Sequence, residues 1–490
     1  MKNSKLKFTN LLRAFCVLHF AFGVGAPAQE TPPAPGAPRS VQIPAVQERK
    51  LPNGMTVAVV ERRNVPLVTV QLVVRSGASG EGMEKAGLAN LTAALLTKGT
   101  KTRTATQIAE EMEFLGGSIN TSAGWNSSSV VVTAMSNRID PAMAIMADAV
   151  LNPTFKQEEL DLLKSQTLDN LTYNLKQPGF LANYVASRYS FREHPSGGTP
   201  ASLKAISRED ITGFHSGGYK SDSAVLIFAG DITAAQAEAL ARKYFGGWAN
   251  KSGGVKRSDG FGITRKTESP LLKRILVVDL PNSGQAAVNY TKDVTGAYRF
   301  NNTNYYPASV LNSLLGGGYS SRLNQEIRIR RGLSYGAGSS FAWRLEKSNF
   351  GTRTQTKNES AAIVAELVLA EIKRLTEGSI EVSELTPRKS VLTGNFGRNL
   401  ETTAGLAAQL AELYNFGLPA NVLNAYMNDV QSVTDRQIRD FAGANLMGGD
   451  LIIVGDYKVF KDDLAKRFPN LKIEVVKADE LDLSRENLRK

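Results

Sequence analysis

Apolar and polar positions along the chain change period in a recognisable order. Met55–Val60 is a short apolar run after a Leu51–Gly54 turn, and Val65–Val74 is β-branched and alternating; both predict strands. From Lys85 to Leu96 the apolar spacing becomes helical. Thr104–Leu115 predicts a second helix, with Thr104 as N-cap and Gly116-Gly117 as its stop. Ser118–Ala134 alternates as a hairpin. A fully apolar run, Ala224–Asp231, predicts a buried strand, and Ala234–Tyr244 a helix after it.

The second half repeats this grammar. Asp450–Asp456 has the same apolar run ending in Gly-Asp, ahead of a predicted Lys461–Phe468 helix, and the two Gly-Asp pairs lie 225 residues apart. Leu151–Leu160 corresponds to Leu375–Leu385. A helix ending at Gly316-Gly317-Gly318 mirrors the Gly87–Thr97 helix. The pattern predicts an α+β fold made by tandem duplication of one unit. The expected boundaries are 46–250 and 270–476, with a Gly/Ser/Lys-rich linker at 251–269 and a charged, peripheral tail at 477–490.

Composition changes the picture at the N-terminus. Lys2, Lys5, Lys7 and Arg13 precede the apolar run Ala14–Val24 and the small-residue site Ala26-Pro27-Ala28, which predicts a secretory signal peptide over residues 1–28. A Pro-rich stretch, with Pro32, Pro33, Pro35 and Pro38, predicts an extended tether over 29–45. Removal of the signal takes away four cations and no anion, lowering the net charge from +12 to +8, and takes the only cysteine, Cys16. The expected compartment is the periplasm of a Gram-negative bacterium, and stability there must come from packing rather than disulfides. The mild basic bias comes with no nucleic-acid motif and no dense Lys/Arg stripe, and nothing after the N-terminus is long and apolar enough to span a membrane.

Several segments together resemble the insulinase-like zinc peptidases, family M16, in their bacterial M16B-type form. They are Leu51–Gly54, Lys85–Ala89, Thr97–Thr104, Leu115–Asn120, His194-Pro195, Ala229–Asp231, Leu315–Leu323 and Arg331–Tyr335. The resemblance implies two similar α+β domains of the insulinase (LuxS/MPP-like) kind, forming half of a clamshell that encloses peptides. It also implies a zinc motif, H-x-x-E-H, on the first long helix. Two histidines one turn apart can grip one ion, and the intervening glutamate serves the metal-bound water as general base. Here Asn90 and Ala94 stand at the histidine positions, Ala93 at the base, and Asn170 near the expected distant glutamate. The only other histidines beyond the signal, His194 and His215, lie 21 residues apart. The expectation is no metal in this chain, with zinc in a partner.

The second half keeps Arg328 and Tyr335, seven residues apart, in the family's R-x-x-x-G-L-x-Y pattern. The resemblance implies that this pair touches the substrate carbonyl and the developing oxyanion. From the residues alone, Arg328 could equally be a solvated helix cation and Tyr335 an ordinary strand aromatic. The Gly316-Gly317-Gly318 loop lacks the Gly-Lys-Ser/Thr ending of a phosphate loop. It reads as a flexible connection that the resemblance places near the substrate channel. An intact Arg/Tyr pair beside an erased zinc helix implies the non-catalytic subunit of a heterodimeric peptidase, paired with an H-x-x-E-H paralogue and inactive alone. A peptide-binding module without catalysis and a purely structural subunit are the alternatives.

Overall fold

Strand pairing repeats itself across the chain. The computed structural model describes residues 43–249, 271–294, 304–345, 347–485 and 487–490. The first six strands are β1 (Gln47–Lys50), β2 (Thr56–Glu61), β3 (Leu67–Val74), β4 (Ser118–Ala123), β5 (Ser128–Met135) and β6 (Ala224–Gly230). They form one sheet in the order β1-β2-β6-β3-β5-β4. The next six are β7 (Leu272–Asp279), β8 (Ala286–Val294), β9 (Ala337–Ala342), β10 (Ser348–Thr356), β11 (Gly449–Gly455) and β12 (Ile473–Lys477). Their order is β12-β7-β11-β8-β10-β9.

The two orders superpose strand for strand from β2/β7 onward, and so do the directions. β6 lies parallel to β2 and antiparallel to β3. β11 lies parallel to β7 and antiparallel to β8. Both central strands are buried along their whole length, which is why Ala224–Gly230 and Leu451–Gly455 read as apolar runs; Asp450, at the start of β11, is paired with Arg274. The sixth strand breaks the match: β1 precedes its sheet and runs antiparallel to β2, whereas β12 closes the chain and runs parallel to β7.

The helices follow the same repeat. The first half carries α1 (Leu88–Leu95), α2 (Ala105–Phe114), α3 (Ile139–Leu151), α4 (Gln157–Asn174), α5 (Pro178–Tyr189), α6 (Pro200–Ala205), α7 (Arg208–Gly218) and α8 (Ala234–Phe245). The second carries α9 (Tyr305–Leu315), a π-helical turn (Asn324–Ile329), α10 (Ala361–Glu377), α11 (Val382–Leu400), α12 (Thr403–Phe416), α13 (Val422–Ser432), α14 (Asp435–Asn445) and α15 (Tyr457–Arg467). Capping explains the sharp starts. Thr104 at α2, Ser207 at α7, Thr233 at α8 and Thr434 at α14 each accept the N–H three residues on, while that residue's side chain returns the bond. The last helix begins a turn before the expected Lys461, because Asp279 Oδ1 accepts the Tyr457 N–H at 3.0 Å.

Each half lends one helix to the other. α5, from the first half, packs on β8 and β11, and its counterpart α12 packs on β3 and β6. Leu406, Leu410 and Leu413 of α12 thus share a core with Val225 and Ile227 of β6, while Leu181 and Val185 of α5 share one with Ile452 and Val454 of β11. Polar contacts mark both joints. The Thr69 and Thr403 hydroxyls meet at 2.9 Å in a buried contact, and Asn289 Nδ2 donates to Asn183 Oδ1 at 2.9 Å. Without α12, one face of the first sheet would be exposed apolar surface, so the duplicated units are interlocked; residues 41–490 form one compact unit.

The end of the chain is charged yet not peripheral. Leu483 and Leu488 are buried in the same core as Val476, so the tail closes over the second sheet. The expected linker, tether and signal peptide lie outside the described residues, apart from 43–45. Among the described residues, no helix is long and apolar enough to cross a membrane.

Candidate functional site

Two places in the fold bear on chemistry. The first is α1. Its N-terminus is held by Glu81, a buried carboxylate that accepts the Gly87 N–H at 2.8 Å and the Ala89 N–H at 2.6 Å. A helix start leaves such amides unsatisfied and carries partial positive charge, so a carboxylate fits there. Burial nonetheless raises the Glu81 pKa to about 7, against the lowering effect of the Ala89 and Gly87 amides.

Further along α1, Asn90 and Ala94 share one face a turn apart, with Ala93 beside them. Asn90 donates its Nδ2 to Ser196 O at 2.7 Å, tying the helix to the His-Pro loop. Ala93 is buried and Ala94 half-buried. Asn170 is exposed on α4 and accepts from Asn174 Nδ2 at 2.6 Å. These four side chains offer two amides and two methyls, a donor set that does not fit zinc. Neither histidine compensates. His194 is buried, with Nε2 3.0 Å from Ala78 O and its ring 4.9 Å from that of Trp125. His215 Nε2 lies 2.9 Å from Val150 O, and burial lowers its pKa. Both have packing roles 21 residues apart in sequence. Among the described residues, no three His, Cys, Asp or Glu side chains gather as a metal ion needs.

The second place is built from three pieces of the other half: the Gly316–Ser321 loop, the π-helical turn, and the segment leading into β9. The loop is a fixed structure, not the flexible connection its glycines suggest. Gly316 presses against β9, where a Cβ would stand 2.2 Å from Ser339 N; only glycine fits that approach. Ser339 N–H donates to Gly316 O at 3.1 Å. Arg388 of α11 donates to Ser320 Oγ and Ser320 O, both at 2.8 Å. Arg322, next in the chain, forms a bidentate pair with Glu384 of α11 at 2.8 and 2.7 Å, which lowers the Glu384 pKa.

Arg328 and Tyr335 sit on this frame. Asn324 begins the π-helical turn and is buried. Its Nδ2 donates to Tyr319 O at 2.5 Å, and its Oδ1 accepts the Ala337 N–H at 3.3 Å. One side chain thus ties together the loop, the turn bearing Arg328 and the strand that follows Tyr335. Tyr335 is the most exposed large hydrophobic side chain among the described residues, at 89%.

The three arginines of the turn have different surroundings. Arg331 and Arg330 both bond Glu326, at 2.7 and 3.0 Å, and hold its carboxyl below the usual range. Arg328 has no carboxylate partner among the described residues. Its guanidinium lies over the Tyr319 ring, 5.1 Å from the centroid. Spacing to Tyr335 singles out Arg328 in the sequence, and the partners of the three arginines now separate them physically. Sequence reasoning also missed Glu81, Tyr319 and Asn324. Glu81 precedes α1 by a full loop, Tyr319 lies in the quoted Gly-rich segment, and Asn324 lies just after it, each without a motif of its own.

Comparison with known proteins now decides the family. Residues 56–187 match the family model of insulinase, peptidase family M16, and residues 205–392 match that of the peptidase M16 inactive domain. Together these matches cover more than half of the chain. The chain belongs to peptidase family M16.

Relatives agree with that assignment. An uncharacterised zinc protease of Rickettsia bellii is 26% identical over 391 residues, covering 77% of this chain and 90% of that protein. A non-peptidase homologue, YmxG, of Helicobacter pylori is 24% identical over 423 residues, covering 80% and 89%. Among solved structures, a peptidase M16 inactive domain from Pseudomonas fluorescens matches with TM-score 0.75 and 25% identity, covering 84% of this chain and 98% of that one. A protease structure from Helicobacter pylori shares the fold at TM-score 0.76 and 19% identity, covering 84% and 100%. Two six-stranded sheets in tandem are therefore the two-domain M16 architecture. The inactive-domain match lies mostly on the second half. In the first half, which matches the insulinase model, the residues on the α1 face are Asn90, Ala93 and Ala94.

Proposed function

We propose that this chain is the zinc-lacking subunit of a heterodimeric M16 peptidase, and that it supplies Arg328 and Tyr335 to the active site of an H-x-x-E-H partner. The observation that carries this reading is the treatment of Arg328. Among the described residues, the fold neutralises Arg330 and Arg331 with Glu326 and leaves Arg328 on an aromatic ring without an anion, next to the strand approached by an exposed tyrosine. A cation kept unpaired in a fixed frame is suited to a ligand oxygen.

In this reading Arg328 donates to the carbonyl of the bound peptide and keeps it oriented. Tyr335, through its phenol O–H, donates to the same oxygen as negative charge grows on it in the transition state. A donor aimed where charge develops lowers the barrier, and removing one typically costs about 10²–10³ in rate. Metal and attacking water belong to the partner, since Asn90, Ala93, Ala94 and Asn170 here offer only amides and methyls. The substrates are peptides and unfolded segments. The N-terminal basic-apolar-small pattern supports export to the periplasm, which a mature N-terminus just after Ala28 would bear out.

Co-purification with an H-x-x-E-H paralogue from the same genome tests the pairing. Each chain alone should leave a fluorogenic peptide library intact, and the mixture should cleave it. Cleavage by the paralogue alone at the rate of the mixture would remove the need for this chain.

A further inference from the structure

Tyr319 has a rigid backbone and an exposed ring, a combination the fold itself does not require. It follows Gly318 in a turn closed by the Ser321 N–H and Oγ, which donate to Gly318 O at 3.1 and 2.6 Å. Its own carbonyl is held by Asn324, and the next residue, Ser320, is held twice by Arg388. Three anchors within four residues leave the main chain little freedom. Yet the ring is 65% exposed and belongs to neither hydrophobic core. Its one described ring contact is the Arg328 guanidinium at 5.1 Å. A turn of this kind needs only small or polar residues. A large aromatic presented to solvent on a fixed support is instead the usual form of a recognition residue, because little entropy is lost when it is covered.

We propose that Tyr319 is a specificity-determining residue, whose exposed ring receives an apolar or aromatic side chain of the peptide held at Arg328. This rests on the reading of Arg328 as a substrate contact. The ring then acts twice. It supports the guanidinium from one side, and it offers apolar surface beside it. A peptide carbonyl on Arg328 thus places a neighbouring side chain against Tyr319. Burying a phenyl or isobutyl group there stabilises the complex, whereas glycine gains nothing.

The test uses the reconstituted pair and a set of peptides differing only beside the cut bond, with Phe, Leu, Ala or Gly. Tyr319→Ala should lower kcat/KM for the Phe and Leu peptides about tenfold more than for the Gly peptide, chiefly through KM; the smaller loss on Gly reports the support withdrawn from Arg328. Tyr319→Phe, which keeps the ring, should retain the discrimination. An equal loss on all four peptides would reduce Tyr319 to a prop for Arg328 and overturn the proposal, as would no loss on any. The same peptides, fluorescently labelled, are titrated against the isolated chain by anisotropy. If the pair does not cleave, trans-catalysis fails. The isolated chain's preference for Phe over Gly, lost in Tyr319→Ala and kept in Tyr319→Phe, still decides the role of Tyr319. Matching melting curves for the variants exclude unfolding as the cause.

Discussion

Asn324 donates to the carbonyl of Tyr319 at 2.5 Å and, from its other side-chain atom, accepts the N–H of Ala337. The Gly-rich loop and the strand after Tyr335 are therefore held by one buried amide at the start of the turn that carries Arg328. Asn324→Ala removes both bonds and strands two backbone groups, a loss of about 1–3 kcal/mol locally. The expected result is faster amide hydrogen exchange over Gly318–Ser321 and at Ala337, with β11 and α10 unchanged. Uniformly faster exchange throughout the protein would show that Asn324 supports the whole fold rather than the site.

The exchanged helices predict cooperative unfolding. Leu410 of α12 is fully buried in a core that also holds Val225 and Ile227 of the first sheet. Leu410→Ala should cost about 2–5 kcal/mol and destabilise both halves together. Urea titrations followed through Trp248 in the first half and Trp343 in the second should give coincident transitions in wild type and variant. Two separate midpoints would mean that the halves are independent.

Much of this architecture was legible in the chain, for a physical reason. Strands covered on both faces are apolar almost throughout, so Ala224–Gly230 and Leu451–Gly455 stand out and their spacing exposes the duplication. Caps such as Thr104 fix helix starts locally. The exchange of α5 and α12 was not legible, because an apolar helix face does not say which sheet it covers. The tail misled for a related reason: its charges are visible in composition, but two leucines, Leu483 and Leu488, decide its packing. At the candidate site, the residue types at 90, 93 and 94 could be read directly. The family pattern singled out Arg328, but the pairing of Arg330 and Arg331 could not be read, since it depends on where Glu326 reaches.

Glu81 gives the protein a pH signature. Its pKa is raised by burial to about 7 from an unfolded value near 4.5. The folded state therefore holds more protons than the unfolded state between those values. Glu81 contributes stability at low pH that is lost as pH rises from about 4.5 through about 7. His194 Nδ1 lies 3.6 Å from the carboxylate. Buried His215, with its lowered pKa, gives the opposite slope, so the quantity to measure is the difference from Glu81→Gln. The wild-type melting temperature minus that of Glu81→Gln should fall between pH 5 and pH 7. A constant difference would contradict the raised pKa.

The erased zinc helix predicts a graded response to repair. Wild type and Asn90→His should bind no stoichiometric zinc in equilibrium dialysis, because one imidazole is a poor site. Asn90→His combined with Ala94→His places two imidazoles on one helical face and should gain measurable binding. Stoichiometric zinc in wild type, lost on Asn90→Ala, would overturn this account of α1.

In the proposed function, Arg328 and Tyr335 of this chain complete the active site of a partner. The most direct test of that reading is single-turnover cleavage by the reconstituted pair, with each substitution made only in this chain. Tyr335→Phe keeps the ring and removes only the O–H, and should slow the chemical step by about 10²–10³. Arg328→Ala should slow it comparably and weaken peptide binding, while Arg330→Ala, whose guanidinium is already committed to Glu326, should stay within about twofold. Wild-type single-turnover rates for both Arg328→Ala and Tyr335→Phe, in pairs that still assemble, would contradict it.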